Sequence, residues 1–192
     1  MRKIILASRS KARQRLLRQI GIKFRVDPSN AKEKRALIGR CGDFVIDNAL
    51  RKASYVAAKH KSGIVIGADT VVLIGKHIIG KPRSLKDAVR ALKTMSSNPQ
   101  WVYTGIAVVD IDNARSYTAY EKTRVYMYPL SDGQIKNYFK RISPFDKAGS
   151  FDVQGPGSIF IDRIEGCFYN VVGLPLAKLA KILEKTGLDL FR

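Results

Sequence analysis

The chain has 192 residues, 45% of them hydrophobic, which is enough for a packed interior and excludes wholesale disorder. Lysine and arginine number 35 against 16 acids, a formal charge of +19, and residues 1–61 alone hold 17 bases and 4 acids. Such a field attracts nucleic acid, anionic lipid and nucleoside triphosphates alike, so charge by itself selects none of them.

The opening apolar run Ile4-Ile5-Leu6-Ala7 is far shorter than the core of a secretory signal, and no later run approaches the ~20 apolar residues of a membrane span. A cytoplasmic protein with no membrane partner is expected. Cys41 and Cys167 stand far apart in no paired motif, and His60 and His77 lack metal-ligand spacing. Neither a disulfide framework nor a zinc site is expected.

In chain order, Lys3 to Ala7 predicts a buried strand, followed by Ser8-Arg9-Ser10 and a helix carrying Leu16, Leu17 and Ile20 that Gly21 ends. Lys23 to Asp27 alternates like a strand. Asp43 is a candidate N-cap for a helix reaching about His60, with Phe44, Ala49, Ala53, Val56 and Ala57 inward. Ile64 to Gly67 predicts a short strand stopping at Ala68-Asp69-Thr70. Val71 to Ile74 and Ile78-Ile79 then form a hairpin around Gly75-Lys76. Ser84 caps a helix containing Ala88, Ala91 and Leu92. Val102 to Ile111 and Ser116 to Met127 are two long antiparallel strands joined at Asp112-Asn113. Ser131 caps another helix through Tyr138-Phe139. Lys147 to Gly157 is a glycine-rich loop, Ile159 to Ile164 a strand, and Leu176 to Leu183 a closing helix. No repeat or linker interrupts the pattern, so one α/β unit with a mixed sheet is expected.

Four segments carry polar groups that packing alone does not require. Ser8, Ser10 and Arg13 stand where a strand leaves and a helix opens, and exposed N–H groups there suit a phosphate. A capped helix with solvated bases explains the same residues. Asp69, read at a strand end in Gly67-Ala68-Asp69-Thr70, faces the usual ligand crevice of α/β proteins. There it can bind magnesium or take a proton from water, although Asp-Thr is also ordinary turn chemistry. Lys81 in Gly80-Lys81-Pro82 is a point charge in a stiff turn. The loop from Asp146-Lys147-Ala148-Gly149 to Gln154-Gly155-Pro156-Gly157 offers Lys147, and it offers Gln154, which can both donate and accept at a base edge. Together these groups supply anion donors, a carboxylate and a base reader, the inventory of a nucleotide-hydrolysing site.

Five strings closely resemble the Maf family, in the family's order: Leu6-Ala7-Ser8-x-Ser10-x-x-Arg13, Gly67-Ala68-Asp69-Thr70-Val71-Val72, Gly80-Lys81-Pro82, Asp146-Lys147-Ala148-Gly149 and Asn170-Val171-Val172-Gly173-Leu174-Pro175-Leu176. The resemblance spans nearly the whole chain. It implies a single domain over residues 1–192 with an inosine-triphosphatase-like α/β fold. That fold is an elongated mixed β-sheet flanked by helices, with two lobes around a central cleft. It also implies a nucleoside triphosphate pyrophosphatase, usually a homodimer, dependent on a divalent cation (magnesium first, manganese or cobalt also suitable). By resemblance Asp69 is the proton acceptor and shares the metal with Glu33. Lys52 and Lys81 contact phosphates; Ser8, Ser10, Arg13 and Lys147 bind substrate; Thr70 and Gln154 set base choice.

Of two subfamilies, one acting on dTTP and UTP and one on 7-methyl-GTP, Thr70 and Gln154 resemble the first. Lys11-Ala12-Arg13 and Asn98-Pro99-Gln100 depart from the family's pattern, which leaves the preferred base open between them. The family's associations include housecleaning of nucleotides and septum formation in cell division. The alternative is a non-catalytic regulatory protein whose basic first third docks on nucleic acid. Phe24 is the only aromatic residue before Phe44, which argues against a stacking platform in that third.

Overall fold

The computed structural model describes residues 2–34, 40–80, 82–145 and 151–190. Lys81, Lys147 and the rest of the Asp146-Lys147-Ala148-Gly149 string lie outside the described residues.

The first apolar run becomes β1 (Ile4–Leu6), buried at every position, and a short extended segment leads from it into α1 (Lys11–Gln19). Gly21 takes φ +74°, the left-handed conformation that ends a helix without a Cβ clash. After β2 (Arg25–Val26) comes α2 (Cys41–Ala57). The residue outside its first turn is Arg40, and Asp43 sits within that turn, paired with Arg40 at 2.9 Å. Asp43 therefore stabilises the positive helix end from inside and is not the N-cap.

β3 (Ile64–Ile74) is one strand of 11 residues, where the sequence predicts a break at Ala68-Asp69-Thr70. It turns at Gly75-Lys76 into β4 (His77–Ile79), with Ile74 opposite His77 as expected. Then follow α3 (Leu85–Ser97), β5 (Gln100–Asp110), β6 (Arg115–Met127) and α4 (Asp132–Phe139). Ser84 and Ser131 cap α3 and α4, and Ser131 makes a reciprocal capping box with Gln134. A 3-10 turn at Pro156–Phe160 takes the start of the strand predicted from Ile159, so β7 is Ile161–Glu165. A short helix missing from the sequence reading, α5 (Phe168–Val172), precedes α6 (Leu176–Glu184).

Seven strands form one mixed sheet in the order β2-β1-β3-β5-β6-β7, with β4 also on β3. β1 runs parallel to β2 and β3, whereas β3–β4 and β6–β7 are antiparallel. The chain divides into two compact units. The first comprises residues 2–70, 103–121 and 172–190, and one of its cores packs Ile5, Ala49, Ala53, Val56, Val65 and Ala107. The second comprises 71–102 and 122–171 and packs Val72, Leu92, Met95, Val102, Val125 and Ile135 with the aromatic rings of Tyr138 and Phe160. No helix among the described residues is long and apolar enough to cross a membrane.

Candidate active site

Two glycines determine how α2 lies on the first unit. A Cβ at Gly67 would stand 2.3 Å from the Ala49 carbonyl oxygen, and one at Gly105 would stand 2.2 Å from that of Val45. Helix backbone thus rests directly on strands β3 and β5, an approach only glycine permits. Side chains at i and i+2 of a strand share a face, so Asp69 points to the same side as Gly67, toward α2. Asn48 and Lys52, four residues apart, share one face of that helix and meet it there.

The contacts are specific. Lys52 Nζ donates to Asp69 Oδ1 at 2.7 Å and lies 2.8 Å from Glu33 Oε1. Asn48 Nδ2 donates to Asp69 Oδ2 at 3.2 Å. The same Asn48 accepts from the Lys34 amide at 2.8 Å, so it ties the segment carrying Glu33 to the strand carrying Asp69. Lys52 and Asp69 are nearly enclosed, with side chains 12% and 10% exposed, whereas Glu33 is 52% exposed and opens the cluster to solvent. A buried ion pair of this kind persists because further hydrogen bonds satisfy its charges. Cys41, at the start of α2, is pushed up to about 11 by burial and by the charge of Asp69.

Asp69 stands mid-strand. β1 pairs with β3 from Ile4↔Ile64 to Leu6↔Ile66 and then leads into α1, so Asp69 lies beyond the paired segment. Asp69 is therefore not the strand-end acid that the sequence predicts; it stands within β3.

On the other side of β3, Arg13 is a junction. Its Nε donates to the Gly173 carbonyl at 2.8 Å, Nη1 to Ser8 Oγ at 3.1 Å and the Ala68 carbonyl at 3.0 Å, and Nη2 to Thr70 Oγ1 at 2.9 Å. Thr70 Oγ1 also lies 2.9 Å from Thr104 Oγ1. Burial lowers the Arg13 pKa, while Asp69 and Glu33 pull it back up. An arginine stays charged under either influence. Ser8 is buried and its Oγ also accepts from the Ser10 amide; Ser10 caps α1 through the Arg13 amide at 3.4 Å. Ser8, Ser10 and Arg13 thus hold the α1 N-terminus, β3 and Gly173 in one arrangement.

The first unit therefore holds two groups on either side of β3: Glu33, Lys52 and Asp69 on one, and Ser8, Ser10, Arg13 and Thr70 on the other. Gln154 belongs to the second unit, where its side chain is exposed and its amide donates to Asp152 Oδ1. Sequence reasoning missed Asn48 and Thr104, and it named Gly173 only within a family string, without a role. The i, i+4 spacing of Asn48 and Lys52 was the available signal for the first.

A divalent cation fits this donor set. Glu33 and Asp69 both reach one ammonium, so their oxygens converge on a single small cationic volume. Among the described residues no group of three histidine, cysteine or acidic side chains converges on a point. A cation held here would complete its shell with phosphate oxygens and water, as magnesium does in nucleotide sites.

Over residues 3–186 the chain matches the family described as Maf-like protein. The chain belongs to the Maf family. Among its relatives, the dTTP/UTP pyrophosphatase of Carboxydothermus hydrogenoformans is 42% identical over 185 residues, covering 96% of this chain and 99% of that protein. The dTTP/UTP pyrophosphatase of Methanosarcina mazei is 44% identical over 192 residues, covering 100% and 98%. The Staphylococcus aureus Ham1 protein superposes with a TM-score of 0.55 over 96% of this chain and 99% of that one, at 13% identity. That likeness concerns the fold, and it agrees with the inosine-triphosphatase-like α/β arrangement expected of a Maf protein.

Proposed function

We propose that this chain is a nucleoside triphosphate pyrophosphatase that cleaves dTTP and UTP to the monophosphate and pyrophosphate. The observation that carries the reading is the convergence of Asp69, Lys52 and Glu33 in a Maf chain whose full-length relatives bear the name dTTP/UTP pyrophosphatase. Asp69, held by Lys52 and Asn48, has fixed orientation and accepts a proton from the water that attacks the α-phosphorus. Glu33 and Asp69 would hold a divalent cation that offsets phosphate charge when bound. Among the described residues Lys52 is the cation that touches both carboxylates, and its charge would offset that of the phosphate oxygens, a role of positioning and electrostatics. Arg13 fixes Ser8, Thr70 and the Gly173 carbonyl, so the hydroxyls of Ser8 and Ser10 and the α1 N-terminus meet the triphosphate preorganised. A homodimer in the cytoplasm is the assembly and setting this reading assigns, by likeness to the family.

The test is a panel of canonical and methylated triphosphates with magnesium, manganese or cobalt, read as pyrophosphate released. Turnover of dTTP and UTP at least about tenfold above the purine triphosphates is expected, a difference of ~1.4 kcal/mol in transition-state binding. Preference for 7-methyl-GTP would move the chain to the other subfamily, and no turnover of any triphosphate would refute the enzyme.

A further inference from the structure

The second unit carries a separate feature that the hydrolytic reading leaves unused. Along β6, Thr123, Val125 and Met127 are buried, while Lys122, Arg124 and Tyr126 alternate with them and are exposed or half-exposed. On the neighbouring β7, Arg163 stands opposite Tyr126 and Glu165 opposite Arg124. On β5, the other neighbour of β6, Trp101 is half-exposed. The open side of these three strands is therefore an alternation of rings and cations. Lys122 Nζ and the Arg124 guanidinium lie 5.3 and 5.4 Å from the Trp101 ring centre. Arg124 is also 5.1 Å from the Tyr126 ring, and Arg163 stacks on it at 3.6 Å. Two acids border the row. Glu165 is occupied by the Tyr126 hydroxyl and Arg163, and Asp162 by Arg163. The Arg124 Nε–H, buried between rings, has no hydrogen-bond partner among the described residues.

We propose that this β5–β6–β7 face is a stacking platform for single-stranded nucleic acid. Rings and guanidinium planes on an open sheet accept unstacked bases, and the interspersed ammonium and guanidinium charges follow a phosphate backbone. Base pairs in a duplex already stack on one another, so the platform reads single strands. Charge selects the partner: Lys122, Arg124 and Arg163 outnumber the two bordering acids, Glu165 and Asp162, in a chain of net charge +19. A second copy would set like charge against like, whereas a polyanion is attracted. The sequence shows a basic first third poor in aromatics; the aromatic residues interleaved with bases come together only when β5, β6 and β7 pair.

Trp101 is the one tryptophan in the chain, so its fluorescence reports this face directly. Full-length protein is titrated with an oligothymidylate of about twelve nucleotides, within the site size of such platforms. The expected result is saturable quenching of Trp101. Affinity should fall with salt along a log–log slope of about −2, as three phosphate contacts on a single strand require. Arg163→Ala and Tyr126→Ala should each weaken binding about tenfold, the fold-change a lost stacking contact gives. Both variants should keep pyrophosphatase turnover, since neither residue belongs to the Asp69 cluster. Absence of quenching overturns the proposal. So does quenching that follows protein concentration without oligonucleotide, which would mean a second copy covers Trp101. Equal affinity in wild type and both variants overturns it too, by moving the nucleic acid elsewhere.

Discussion

Lys52 answers two carboxylates with one ammonium, so truncating it tests the ion pair and the chemistry together. Lys52→Ala leaves Asp69 in a nearly enclosed place with Asn48 as its remaining side-chain donor among the described residues. Breaking a buried pair from one side costs about 3 kcal/mol, which should appear as a lower urea midpoint along with a large loss in kcat. A midpoint equal to the wild type would show that the pair is solvated and not held. A second residue-scale test lies away from the site. Arg2 binds Asp110 and Asp112 and holds the Asp110 carboxyl below the usual carboxylate range, and Asp110 is buried. A folded pKa below the unfolded one adds stability above the ordinary carboxylate value, about 3.9, and that stability disappears as pH falls through the folded value. Asp110→Asn should therefore be less stable than wild type at pH 6, with the gap closing toward pH 2. A gap that widens in acid would contradict the assignment.

At the scale of elements, the site depends on how closely α2 lies on β3 and β5. Gly67→Ala places a methyl 2.3 Å from the Ala49 carbonyl and 2.9 Å from the Ala53 Cβ, so the helix must lift. Overpacking of this sort costs about 1–3 kcal/mol. Because Asn48 and Lys52 ride on the same helix, a displacement on the order of 1 Å should also reduce kcat about 100-fold. Retained activity in a destabilised Gly67→Ala protein would show that the helix re-seats without disturbing Asp69. Much at this scale was readable from sequence: Gly21 as a helix stop, Ser84 and Ser131 as caps, and Gly75-Lys76 as a hairpin turn. The errors share a cause. Ala68-Asp69-Thr70 has turn-like composition, so local propensity broke β3 where pairing carries it through to Ile74. Asp43 has a good capping side chain, yet α2 starts earlier, at Cys41, and leaves it inside the first turn.

For the molecule as a whole, the family strings were legible one by one, but the contacts Arg13 makes with Ala68, Thr70 and Gly173 were not. Glu33, Lys52 and Asp69 are separated by 19 and 17 residues, and α2 lying on β3, with Asn48 tying in the segment that carries Glu33, makes them neighbours. Asn48 gave only its i, i+4 spacing from Lys52 as a signal, because an asparagine inside an amphipathic helix looks like any polar residue until its partners, Lys34 and Asp69, are known. The net charge of +19, uninformative by itself, now has two separate local uses: cations grouped around a carboxylate pair in one unit, and cations interleaved with rings in the other. The most direct test of the first use is to incubate dTTP with wild-type protein and with Asp69→Asn, metal supplied, in water enriched in oxygen-18, and to analyse the products. Hydrolysis at the α-phosphorus predicts equal amounts of pyrophosphate and dTMP with the label in dTMP, and a rate at least ~1000-fold lower in Asp69→Asn with the fold intact. Label in pyrophosphate, formation of dTDP and phosphate, or an Asp69→Asn protein as fast as the wild type would contradict it.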